Sequence, residues 1–369
     1  KINFNESNNK NFNIPIYACT NKSNANNMFI KVGNSRQHTV KVAVANVILK
    51  DEDFEKVLKG HPNRSYDRYK SLVSIVNQAI ANKVDILVMP ESFLPIEWLP
   101  TLARTCAKNQ IAVVTGIEHV KLKNSCGQNV VFNLTATILP FVDEDYKFSF
   151  VYFHHKKHFS PDEKETIISY RCRPIEGNSY ELFSWNDFWF PVYCCYELAS
   201  IKDRAIFQSY ADSLIAVEWN RDTKYYSNIV ESLSRDMHCF CIQVNTAKFG
   251  DSRITAPTKS EEKDIVQVKG GINPTILVES LNISELRDFQ LKGNEFQLRK
   301  PTKGRFSFKP TPPDFTLNYI KIKIWRSRLK LKSGRFSFKP TPPDFNFDIV
   351  QSKIDGTLWI DIVSGKFVL

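Results

Sequence analysis

Three apolar runs in this chain stop on a reactive side chain. Asp85-Ile86-Leu87-Val88-Met89 leads into Pro90-Glu91, the run from Phe148 to His154 leads into Lys156, and Phe188 to Cys194 leads into Cys195. Short, nearly continuous apolar runs are what strands covered on both faces look like in sequence. Such strands force a layered fold, because each face needs its own cover. The surrounding segments fit. Lys41 to Val47 alternates like a strand. The spacing of Tyr66, Tyr69, Val73, Val76 and Ile80 predicts the apolar face of a helix. Leu99, Leu102, Ala103 and Cys106 predict a second helix, leading into the strand Ile111–Gly116. Long strands are expected over Val130–Leu139 and Phe148–His154, with further strands at Ser213–Glu218, Phe240–Asn245, Ile254, Val266–Val268 and Thr275–Leu281, and a helix over Tyr225–His238. Strand–helix–strand units followed by strand–strand units predict α/β layers.

At 369 residues and 42% hydrophobic content, one sizeable α/β unit with appendages is expected. No apolar run approaches the roughly 18–20 residues of a membrane-spanning helix. The amino-terminal segment has eleven asparagines in residues 1–38 and no basic-then-apolar signal pattern, so it reads as a polar linker or arm. The chain begins with Lys1 rather than Met, which predicts a piece of a longer polypeptide. Its eight cysteines (Cys19, Cys106, Cys126, Cys172, Cys194, Cys195, Cys239 and Cys241) lack the spacing of a small disulfide scaffold, which points to a reducing, cytoplasmic setting. No CxxC pair is present, and the histidines of His154-His155-Lys156-Lys157-His158 have no carboxylate at matching spacing, so no metal site is expected.

The net charge of +11 sits in one place. Residues 299–345 hold thirteen Lys/Arg against two Asp/Glu, and the rest balances at 37 against 37. This tail from residue 293 carries the segment Gly304–Phe315 and an identical copy at Gly334–Phe345. Two copies fall short of a solenoid. Between them, Ile320 to Lys332 alternates with a phase slip at Trp325, predicting a basic strand with a bulge. With Phe306, Phe308, Phe336 and Phe338, this tail could contact nucleic acid by charge and stacking, or pack on a neighbouring domain.

The three strand-end residues form a chemically coherent set. An amide or nitrile carbon is a poor electrophile, so its hydrolysis gains from a thiolate, a base that takes the thiol proton, and a cation that stabilises the oxyanion. Cys195 is the candidate nucleophile, Glu91 the base and later acid, and Lys156 the cation. The Tyr196 N–H is a second oxyanion donor. Each residue also has an ordinary reading: a residue beside a helix start for Glu91, a solvated basic turn for Lys156, and two core thiols for Cys194 and Cys195.

Leu87-Val88-Met89-Pro90-Glu91, Lys156-x-His158-Phe159 and Cys195-Tyr196-Glu197, with Asn245 and Gly250–Ile254 downstream, resemble the nitrilase (carbon–nitrogen hydrolase) superfamily over residues 39–292. The resemblance implies an α-β-β-α sandwich, a Glu-Lys-Cys set, hydrolysis of a small-molecule amide or nitrile-type substrate, no metal or organic cofactor, and a homo-oligomer. It prefers Lys156 over Lys157, and Cys195 over Cys194. It also implies a second glutamate shortly after the lysine, for which Glu163 is favoured over Glu165. The segment Leu198–Ile201 departs from the family's usual continuation. Nitrilase-like modules resembling this one occur fused to reverse transcriptases in bacterial antiviral defence proteins, which would give the tail a nucleic-acid or upstream-domain partner, either as an enzyme or as a sensor and assembly scaffold.

Overall fold

Alternation along each central strand decides which layer a side chain enters. In the strand Thr39–Asn46, Val40, Val42 and Val44 face one way into a large apolar core, while Ala43 and Ala45 face the opposite way into a second one. The structure is a computed structural model that describes residues 16–20, 26–33, 35–291, 308–312, 315, 352–354, 358–360 and 366–368.

In chain order, β1 (Ile16–Thr20), β2 (Asn26–Val32) and β3 (Thr39–Asn46) precede α1 (Asp51–Leu58) and α2 (Tyr66–Ala81). Then come β4 (Ile86–Val88), α3 (Leu99–Asn109), β5 (Ala112–Lys123), β6 (Asn129–Asp143), β7 (Tyr146–His155) and α4 (Pro161–Ser169). The second half holds β8 (Arg173–Ile175), β9 (Glu181–Trp185), β10 (Phe188–Cys194), α5 (Ile201–Arg204), β11 (Ser213–Glu218), α6 (Thr223–Met237) and β12 (Phe240–Asn245). It closes with β13 (Ser252–Thr255), β14 (Asp264–Val268), β15 (Thr275–Asn282) and α7 (Ile283–Leu291), followed by β16 (Ser352–Ile354), β17 (Leu358–Ile360) and β18 (Lys366–Val368).

One sheet has the order β15-β3-β4-β5-β6-β7-β18, with β8 beside β6, and the other β1-β2-β9-β10-β11-β12-β13-β14. The sheets pack face to face over a core that includes Val42, Val88, Phe183, Phe190 and Ile215. Helices α2 and α3 cover the outer face of the first sheet, and α6 covers that of the second through Tyr226, Ile229, Val230, Leu233 and Met237. This is the α-β-β-α sandwich that the resemblance implies. The strands β3, β4 and β5 run parallel, as do β10, β11 and β12. Ligand sites in such sheets lie at the carboxyl ends of the strands, and the residues after β4, β10, β11 and β12 all gather there.

Two sequence expectations are corrected. Asn26–Val32, within the segment read as an arm, is a strand whose Phe29, Ile30 and Val32 are buried. Its apolar residues are too few to stand out from the asparagines around them. On α2, the buried residues are Arg68, Leu72, Ile75 and Ala79; of the expected face, Val76 and Ile80 are half-buried against the core, while Tyr66, Tyr69 and Val73 are exposed. Both series have helical spacing. Arg68 fixes the rotation: its guanidinium donates to the carbonyls of Ser92 (2.8 Å) and Phe93 (2.8 Å) and pairs with Glu118.

Part of the tail is described. Phe308 bridges to Thr258, the Lys309 carbonyl accepts from His238 Nε2 at 2.7 Å, and Phe308 and Phe315 are buried around the His238 ring. Phe308 therefore serves packing, and its ring is not available for stacking on a base. The basic strand around Trp325, Phe306 and the second copy of the repeat with Phe336 and Phe338 lie outside the described residues.

Candidate active site

The turn after β4 is held by its neighbours before any chemistry is considered. Ser92 takes a positive φ of 59°, and a Cβ on Gly116 would lie 2.3 Å from the Glu91 Cα, so only glycine lets β5 pass beneath this turn. With Arg68 gripping the Ser92 and Phe93 carbonyls, Glu91 is aimed into the space between the two sheets' carboxyl ends. It is 3% exposed.

The Glu91 carboxylate is surrounded by donors. Its Oε1 accepts from Lys156 Nζ at 2.8 Å and Asn133 Nδ2 at 2.8 Å, and the Cys194 thiol lies 3.3 Å away. Its Oε2 accepts from the Trp219 backbone N–H at 3.0 Å. Lys156, at the end of β7, also donates to Glu163 Oε2 at 2.6 Å and lies over the Phe159 ring. Burial would lower the Lys156 pKa, but Glu163 and Glu91 together hold it well above its usual value, so the ammonium stays charged. For Glu163, burial pushes up while Lys156 and His119 pull down, and the carboxyl falls to about 2. Of the two glutamates that the sequence offered after the lysine, Glu163 is the one in contact with it. Its helix α4 starts on Pro161 with Ser160 as N-cap, whose hydroxyl accepts from the Glu163 N–H.

Cys195 follows β10 with a positive φ of 47°, a left-handed turn that non-glycine residues seldom adopt, and is 9% exposed. Burial and Glu91 push its thiol pKa well up, while Lys156 and the Trp219 N–H pull it down. The resting group is therefore the neutral thiol, with a carboxylate and an ammonium in its field. The structure brings Glu91, Lys156 and Glu163 into direct contact, with Cys195 within electrostatic reach of Glu91 and Lys156. Cys194, set aside in favour of Cys195 on the resemblance, also touches this cluster: its side chain enters the inter-sheet core yet reaches Glu91.

Lys157 and His158 turn away, both pairing with Asp203 at 3.1 and 2.6 Å. His154 is buried between Glu181 (2.7 Å) and Glu197 (2.9 Å). The histidine cluster is thus divided among different partners, and among the described residues no group of three or more His, Cys, Asp or Glu could hold a metal ion. Glu197 further accepts from the backbone N–H of Cys194 (2.7 Å) and of Lys157 (2.5 Å), tying the thiol turn to the lysine turn.

Sequence reading missed several members of the site. Asn133 Nδ2 spans Glu91 and Glu163, at 2.8 and 2.7 Å. His119 Nε2 meets Glu163 at 3.0 Å, and its Nδ1 meets Ser92 Oγ at 3.2 Å. Asn133 and His119 sit inside the long strands β6 and β5, where a polar residue on an alternating pattern has no distinguishing signal. Trp219 acts through its backbone. The strand-end position of Glu218 was the one available clue to that residue. Asn245, matched from the resemblance, orders the turn after β12: it accepts from the Asn220 N–H at 3.0 Å and donates to the Gly250 carbonyl at 3.0 Å.

No family model matches this chain, and no curated protein matches it. Among solved structures, it is similar to a CN-hydrolase superfamily protein from Xanthomonas campestris with an arsenic adduct in the active site, at 14% identity and a TM-score of 0.49 over 72% of this chain and 98% of that one. It is also similar to an amidase from Nesterenkonia sp., at 15% identity and a TM-score of 0.45 over 69% and 95% of the two chains. A glutamine-dependent NAD+ synthetase from Acinetobacter baumannii is similar at 16% identity and a TM-score of 0.42, over 66% of this chain and 45% of that one.

Proposed function

We propose that the protein is a member of the nitrilase superfamily and a cysteine-dependent hydrolase of a non-peptide amide or related C–N bond, working through a thioester. The observation that carries this reading is the Lys156 ammonium held between Glu91 and Glu163, with the Cys195 thiol on its left-handed turn in the field of Lys156 and Glu91.

The chemistry follows from the charges. The neutral thiol needs a base at the moment of attack, and Glu91 is the carboxylate that acts most strongly on it. As Sγ bonds to the carbonyl carbon, its proton passes to Glu91 and the carbonyl oxygen becomes an oxyanion. An ammonium has three donors, and Lys156 directs two of them at Glu91 and Glu163. The third, with the Tyr196 N–H, serves the oxyanion. On collapse the C–N bond breaks and protonated Glu91 gives its proton to the leaving nitrogen. Water, deprotonated by Glu91, then cleaves the thioester, releasing the acid and restoring the thiol. Glu163 and Asn133 position Lys156 and Glu91.

Incubation with a panel of small amides should add the acyl mass to the peptide containing Cys195, and Cys195→Ala should abolish that addition. Acyl transfer to another residue would overturn the assignment. The low exposure of Cys195 favours a second reading, a ligand-gated sensor or scaffold with slow turnover. Full biological activity in Cys195→Ala would decide for it.

A further inference from the structure

Glu218 lies within electrostatic reach of the proposed nucleophile and is used by none of the steps above. The parallel pairing of β10 with β11 sets Cys194 opposite Val217, so Glu218 ends β11 at the carboxyl edge where the left-handed turn carrying Cys195 begins, and the two groups act on each other electrostatically. On its other side Glu218 pairs with Asn245, and the next residue in the chain is Trp219, whose N–H donates to Glu91. Glu218 is fully buried. Gln243 Nε2 donates to its Oε2 at 2.8 Å, while its Oε1 has no hydrogen-bond partner among the described residues.

A buried carboxyl oxygen without a donor is costly unless a ligand supplies one. In its ionised form a carboxylate accepts only, so the ligand group that fits this oxygen in that form is an N–H donor, best a cationic one. The charge of the site agrees: Glu91 and Glu163 outnumber Lys156 before Glu218 is counted. We propose that Glu218 is a specificity-determining residue that selects amide substrates bearing a guanidinium or ammonium group near the scissile bond. This rests on the Cys195 hydrolase reading and names its substrate class.

The groups that act on Glu218 are Glu91 from the turn after β4, Asp251 and Arg253 from β13 and its approach, and, in turn, Cys195 and Tyr226 from the start of the turn after β10 and from α6. Burial is the dominant influence and pushes the Glu218 carboxyl up to about 8, with Gln243 and Arg253 opposing. The acid is therefore largely neutral at pH 6 and ionised above pH 8. A cationic ligand prefers the ionised form, so selection for it strengthens with rising pH.

The test uses two isosteric alkylating amides, N-(2-guanidinoethyl)iodoacetamide and N-(2-ureidoethyl)iodoacetamide. In both, the Cys195 thiolate displaces iodide, forming C–S as C–I breaks, and the alkylated peptide is quantified by mass spectrometry against Cys195→Ser as blank. Thiolate ionisation cancels in the ratio of the two rates. The guanidino-to-ureido ratio should reach about tenfold above pH 9, the equivalent of one ordinary charged contact, and fall toward one by pH 6. In Glu218→Gln, with folding checked by thermal melting, the ratio should stay near one at every pH. A wild-type ratio that is flat with pH, or one that survives in Glu218→Gln, overturns the proposal. The wild-type profile decides alone if the variant does not fold. If neither reagent alkylates Cys195, the hydrolase reading itself fails, and this inference falls with it.

Discussion

The His154 imidazole lies 2.9 Å from the Glu197 carboxylate in the interior of the protein, with neither side chain exposed to solvent. Burial would lower the imidazole pKa, but Glu197 and Glu181 raise it to about 10, so it is an imidazolium at neutral pH. Because Glu197 also accepts from the N–H groups of Cys194 and Lys157, this charge supports the alignment of the thiol turn with the lysine turn.

Stability should therefore depend on pH in a defined window. The folded pKa is raised above the ordinary histidine value, near 6.5, so the contribution is fully present below that value and is lost as pH rises toward about 10. Urea denaturation at steps between pH 6 and 10 should show a loss on the order of a few kcal/mol. His154→Gln removes the cation from two buried glutamates and should cost roughly 3–5 kcal/mol. In that variant the alkaline slope should also flatten, and an unchanged slope would assign the pH dependence to another group.

Glu91 and Glu163 both touch the same ammonium, yet the proposed chemistry gives them different roles. Glu91→Gln should leave Lys156 in place but remove the acceptor of the thiol proton, lowering acylation of Cys195 by about 10²- to 10⁴-fold. Glu163→Gln retains a carbonyl for Lys156 and should act more weakly, through position. Single-turnover acylation followed by mass spectrometry separates the two. Equal losses in both variants would argue against Glu91 as the base.

The strand ends were legible because burial and chemistry change abruptly there: an apolar run stopping at Glu91, Lys156 or Cys195 leaves the functional residue at the rim. The layers were legible for the same reason, since β4, β10, β11 and the first half of β5 are largely apolar on both faces. What escaped notice depended on partners distant in sequence. Asn133 is one of several polar residues in a fifteen-residue strand, and its meaning comes from carboxylates 42 and 30 residues away. The face of α2 was legible only in part: Val76 and Ile80 do pack on the core, but Tyr66, Tyr69 and Val73 compete with Leu72, Ile75 and Ala79 at the same spacing, and Arg68, which anchors the buried face, counts as polar in any hydrophobic pattern. Glu218 looks like any strand-terminal glutamate until register sets the end of β11 beside the end of β10, where the turn carrying Cys195 begins.

The adjacent thiols can be separated by substitution. Cys194 donates toward Glu91 but comes before the left-handed residue, within the strand and facing the core. Cys194→Ala should keep acylation at Cys195, with a rate change within about tenfold, because one weak neutral donor to the base is lost. Cys195→Ala should lose acylation altogether. Transfer of the acyl mass to Cys194 in wild type would reverse the assignment.

Gly116 offers the last test, because it links packing to chemistry without touching a ligand. A methyl group there would meet the Glu91 Cα and the Ser92 N, each at 2.3 Å, which are backbone atoms unable to swing aside. Gly116→Ala must push the β4 turn away from β5, straining the Gly116 N–H bond to the Pro90 carbonyl and the Leu94 N–H bond to the Gly116 carbonyl. Overpacking of this kind costs about 1–3 kcal/mol. The larger effect should be on the site, since Glu91 moves with its backbone while Lys156 and Cys195 stay on other elements. Acylation should fall well beyond the proportion expected from the stability loss when measured below the melting transition. A variant destabilised but fully active at low temperature would show that Glu91 need not be held where β5 holds it.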